Sequence, residues 1–88
     1  MTTTTKITTR NFLDSAEKVM TVAGRIAAAY EGNATRVREV TGLAQANFRE
    51  ALACWMHGEK HDAVEYLADA VENLRPVAQA LDIDHLLP

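Results

Sequence analysis

A chain of 88 residues with 48% hydrophobic side chains holds one domain with one core, and it excludes disorder throughout. Its single cysteine excludes an intramolecular disulfide, and its longest apolar run, VMTVAGRIAAAY, is too short for a membrane span and carries Arg25. The formal net charge of −3 hides an asymmetry, with +3 over residues 1–49 and −6 over residues 50–88. Either the halves attract each other within a bundle or a dimer, or the second half offers an acidic surface to a basic partner.

The opening MTTTTKITTR contains six threonines and little to bury, so residues 1–10 read as a flexible tail before a single helical domain over 11–88. It lacks the apolar stretch of a secretory leader, and a lone thiol suits a reducing compartment, so the expected location is cytoplasmic. Asn11 or Thr9 then offers an N-cap. Phe12, Ala16, Val19, Met20, Ala23, Ile26, Ala27 and Tyr30 follow at three- and four-residue steps, the pattern of an amphipathic helix. Gly32 suits the left-handed residue after a helix end, and Asn33 can cap what comes next.

A second helix is expected from about Ala34 to His57, with Val37, Val40, Ala44, Phe48, Ala51, Leu52 and Trp55 as its main stripe. Leu43, Ala46, Ala53 and Met56 lie off that stripe, so this helix should touch more than one neighbour. Thr41–Gly42 is its weak point and the place where it would divide. After Gly58 a third helix is expected, capped by Asp62 or His61 and facing inward through Ala63, Val64, Leu67, Ala70, Val71 and Leu74. Pro76 should kink or stop it at Arg75. VAQALDIDHLLP would then form a short fourth helix with Val77, Leu81, Leu86 and Leu87 apolar.

CWMHGEKH, residues 54–61, gathers the chain's chemistry-bearing side chains around one glycine. His57, His61 and Glu65 are spaced by four, and Cys54 stands three before His57, which on one continuous helix is metal-ligand spacing. Gly58 falls inside the set where the periodicity calls for a turn, so the stretch reads as a helix corner and no metal or cofactor is expected. Cys54 beside Trp55 on an apolar helix reads as an inert thiol, and the isolated glycines form no phosphate cradle. No catalytic residues are assigned and the chain is expected not to be an enzyme. Candidate partner-binding residues are Trp55 and Met56 as apolar anchors, with Asp62, Glu65, Asp69 and Glu72 as an acidic stripe on the third helix.

HGEKHDAVEYLADAVENLRP resembles the turn and second helix of a tetratricopeptide repeat, with Gly58, Ala63, Leu67 and Ala70 at matching places and Pro76 one residue late. In the preceding helix Ala51 takes the small position, while Asn47, Glu50 and Cys54 replace large apolar or aromatic residues. This resemblance implies a helical hairpin that binds peptide or protein. RVREVTGLAQANFREAL is similar to the first two helices of phage-type helix-turn-helix repressors, with Gly42 between them and Gln45 at a contact position; VENLRPVAQALDIDHLL is similar to their closing helices. The segment that would read DNA, ACWMHGEKHDAVEYLADA, is apolar and then acidic, the wrong sign for phosphate. Neither resemblance assigns a family.

The sequence therefore predicts an all-α fold: an antiparallel three-helix bundle with a short fourth C-terminal helix, dimeric because a core this small buries little alone. The expected function is non-enzymatic protein–protein interaction, as an adaptor, inhibitor or regulatory subunit. A divergent helix-turn-helix DNA-binding regulator is the alternative.

Overall fold

A computed structural model describes residues 8–88, so most of the threonine-rich tail lies outside the described residues. The chain is all-helical there: α1 (Thr9–Ala29), α2 (Ala34–Met56), α3 (Lys60–Ala80) and a single 3-10 turn, η1 (Asp84–Leu86). Short turns join successive helices in antiparallel order. The third helix packs along α2 over most of its length and along α1 over a shorter stretch, while α1 and α2 touch each other least.

Helix ends are set by local chemistry. Thr8, not Asn11 or Thr9, caps α1: its Oγ1 accepts from the Asn11 amide at 3.1 Å, so Thr9 and Arg10 belong to the helix. Asn33 caps α2 as expected, its side chain accepting from the Arg36 amide at 3.1 Å. At the end of α2, Gly58 takes φ +79°; its amide donates to the Trp55 carbonyl and the Glu59 amide to the Cys54 carbonyl. That is a Schellman closure. The turn hands the chain straight into α3, so Glu59 becomes the N-cap residue with no side-chain bond, and Asp62 stands in the first turn instead of capping.

Three further expectations are corrected. Gly42 does not divide α2. Thr41, 1% exposed, donates from Oγ1 to the Val37 carbonyl at 2.6 Å and accepts from Gln45 at 3.2 Å. Burial there outweighs the roughly 1 kcal/mol that glycine costs a helix. Pro76 does not stop α3, which continues to Ala80 because Leu74 and Ala78, on either side of it, are both fully buried. The proline is exposed, so the backbone carbonyl it leaves unpaired lies on the side that water reaches. The short fourth helix is not formed: Val77–Ala80 extends α3, and only η1 follows.

Between α3 and η1 the same closure is built on a non-glycine residue. Asp82 has φ +59°, its amide donating to Gln79 and that of Ile83 to Ala78. The chain then folds back so that Leu87 is buried and Leu86 packs against the core.

The core is made from small side chains. Ala44, Ala51 and Cys54 of α2 and Ala63, Ala70 and Ala78 of α3 are buried, with Leu67 and Leu74 between them. Phe12, Ala16, Val19, Val22 and Ile26 supply the α1 side. Val22 lies within this face and Met20, 61% exposed, lies outside it, so the buried stripe is rotated from the one read off the sequence.

Two substitutions check these local accounts. A Cβ at Gly42 would meet nothing within 4 Å, so Gly42→Ala should raise stability by about 1 kcal/mol in urea unfolding. Asp82→Gly, which relieves a left-handed non-glycine residue, should raise it by about 0.5–1 kcal/mol, read the same way.

Candidate functional site

The corner at residues 54–61 carries the turn that joins α2 to α3. Trp55 lies parallel to Phe12, ring centroids 4.3 Å apart and planes 4° from coplanar, so one face of the indole is occupied by α1. The Lys60 ammonium sits 5.4 Å from the indole centroid. His57 ends α2 and its Nδ1 lies 2.7 Å from the Ala53 carbonyl, tying the ring to its own helix. Among the described residues no group of His, Cys, Asp or Glu is placed to hold a metal ion. Of the two apolar anchors read from the sequence, Trp55 is half-buried in this stack, while Met56 is 84% exposed.

The acidic stripe is brought to one surface and enlarged. Asp62, Glu65 and Asp69 of α3 are exposed and line a solvent-open depression to which α2 contributes Glu50 and the connecting turn Glu59. Cys54 and Tyr66 complete its wall, and no lysine or arginine lines it. Glu72 continues the ridge but is engaged by Arg75 at 3.4 Å. Sequence spacing identified the α3 carboxylates. Glu50 and Glu59 were missed because they come from a different helix and a turn, which only the hairpin places beside α3.

Cys54 lies at the edge of this depression. Burial pushes its thiol pKa upward, and the nearby carboxylates of Glu59, Glu50 and Asp62 raise it further. All of these causes disfavour the thiolate, the opposite of what a nucleophile needs.

A second feature lies between α1 and α2, where the two helices stand apart. Val19, Met20 and Ala23 form one wall, Ala44 and Phe48 the other, and Leu74 of α3 the floor of an open groove of about 220 Å³. Gln45 and Arg49 stand on its α2 edge. A shallower continuation shares Gln45 and runs toward the α1–α2 turn, where Glu31 and Arg38 line it. Met20 was read as core and Phe48 as helix stripe, so this groove was not visible in the sequence; it follows from the light contact between α1 and α2.

Comparison with protein-family models, with curated proteins and with solved structures finds no match to this chain. The two resemblances can be weighed against the geometry itself. The α2–α3 hairpin turns at Gly58 as a tetratricopeptide hairpin would, although it spans more chain than one repeat of about 34 residues. The helix-turn-helix reading requires a break at Gly42, and α2 is continuous through it. No helix among the described residues is long and apolar enough to cross a membrane.

The thiol gives a direct check on this electrostatic picture. Cys54 should react with iodoacetamide at pH 8 about tenfold or more slowly than a small free thiol. Serine at Glu50, Glu59 and Asp62 together should speed the reaction, measured by mass spectrometry of the folded protein.

Proposed function

We propose that this chain is a non-enzymatic helical protein that acts through protein–protein interaction, as an adaptor, inhibitor or regulatory subunit, and that the acidic surface of the α2–α3 hairpin captures a basic protein segment. The observation that carries this reading is the convergence of Glu50, Glu59, Asp62, Glu65 and Asp69 on one open depression without a lining cation. Like charges gathered this way repel one another at a cost in stability, and a partner rich in arginine or lysine relieves the repulsion. The aromatic side chain of Tyr66 in the same wall offers a ring face to a guanidinium. Met56, the last residue of α2, is exposed apolar surface at the tip of the same hairpin.

In this reading the carboxylates set orientation and on-rate more than final affinity. Trp55 serves the interaction indirectly, by holding α1 against the hairpin. Membrane attachment and nucleic-acid binding form no part of the proposal, since the exposed carboxylates of this surface repel phosphate.

A fluorescently labelled arginine-rich peptide tests it. Binding followed by anisotropy should weaken about tenfold between 50 mM and 200 mM salt. Replacing Asp62, Glu65 and Asp69 together with Ser should weaken binding by a similar factor and flatten the salt dependence, with the circular dichroism spectrum unchanged. Equal affinity for the triple variant would defeat the proposal.

A further inference from the structure

We infer that the groove between α1 and α2 binds a small amphipathic acid, an unbranched aliphatic carboxylate of about eight carbons, with its chain in the groove and its head group on Arg49. The groove shares no lining residue with the acidic depression, so this site stands apart from the surface assigned to a basic partner.

The lining defines the chain. Val19, Ala44 and Leu74 are core residues whose edges reach the groove, Phe48 is half-buried, and Met20 forms an exposed, pliable lip. Apolar surface left facing water favours an apolar body that displaces that water. The volume sets its size. At about 30 Å³ for each water-sized group, the groove of about 220 Å³ holds about seven methylene or methyl groups. The walls set its shape. Val19 to Ala23 and Ala44 to Arg49 each run little more than one helical turn, about 6–8 Å at about 1.5 Å per residue. That accommodates a short extended chain and is too short to hold a partner helix, which needs several turns of contact.

The rim defines the head group. Arg49 is the one charged side chain that lines the groove, and no carboxylate lines it. Among the described residues Arg49 makes no ion pair and no side-chain hydrogen bond, whereas the Gln45 amide beside it donates to Thr41 at 3.2 Å. A guanidinium presents parallel donors in a fork that a carboxylate accepts, and one positive charge balances one negative. On the other side of Gln45 the continuation is shallower, and Thr41, Arg38 and Glu31 enter its lining. Carbons past about the eighth therefore bury less apolar surface. A short apolar slot with a single cation at one end selects for a charged head and a limited chain length together.

Amide NMR titrations of the full chain with unbranched carboxylates of about four to about twelve carbons test the site. Octanoate should bind with a dissociation constant below about 1 mM. It should shift the amides of Ala23, Ala44 and Phe48 and leave those of Asp62 and Asp69 in place. Affinity should rise about threefold per added carbon up to about eight and then level off. Arg49→Gln should weaken octanoate about fivefold and leave octanol, the same chain without the charge, unaffected. Ala23→Leu, which fills the groove, should abolish binding of both with the circular dichroism spectrum unchanged. Absence of binding at about 5 mM octanoate, an affinity still rising at twelve carbons, or an Arg49→Gln variant that binds octanoate normally would each overturn the inference. So would groove amides that shift when the protein alone is diluted, the sign of a second copy already seated there. Peptide capture is read at other residues, so the two proposals fail separately.

Discussion

Everything in this fold follows from how closely α2 and α3 pack. Their facing positions are Ala44, Ala51 and Cys54 on one helix and Ala63, Ala70 and Ala78 on the other, all buried. Small side chains let two helix backbones approach each other and leave little space beside the seam. The larger residues of α1, led by Phe12, Val22 and Ile26, are accommodated beside α3, where Leu67 and Leu74 supply depth. The price of that closeness is an incomplete third interface: α1 is held at its N-terminal end by the Phe12–Trp55 stack and stands away from α2 further along. Groove, exposed Met20 and half-buried Phe48 all descend from that one choice of side-chain size.

Helical periodicity made three helices and two connections legible in the sequence, and the reasons are local. Gly32–Asn33 and Gly58 encode their turns through backbone freedom and side-chain capping, so the turns form as read. The errors arise where tertiary packing outweighs a local signal. Gly42 and Pro76 are helix breakers by intrinsic propensity, yet each sits within a segment anchored by buried residues, Thr41 and Ala44 in one case and Leu74 and Ala78 in the other. Asp82 shows the converse. A non-glycine residue in the left-handed region gives no sequence signal, and it ends the helix after Ala80, inside the stretch that reads as a short fourth helix.

The candidate sites divide along the same line. A ridge on one helix can be read from spacing, and Asp62, Glu65 and Asp69 were found that way. A depression assembled from two helices and a turn cannot, so Glu50 and Glu59 emerged only with the hairpin. Trp55 illustrates why residue type alone misleads. Its chemistry suits a partner-binding anchor, but Phe12 covers one of its faces before any partner arrives. The +3 and −6 halves of the sequence also resolve into more than mutual attraction. Among the described residues the ion pairs, Arg36–Glu39 and Arg75–Glu72, each stay within one half, and five carboxylates of the second half gather on a surface of their own.

The stacked indole has an optical consequence. It is the only tryptophan in the chain, and its environment is defined by one aromatic ring from α1 and one ammonium from α3. Its emission therefore reports whether α1 is docked. Departure of the first helix would redden that fluorescence before the helical dichroism falls, so this small protein carries an intrinsic gauge of its own partial opening.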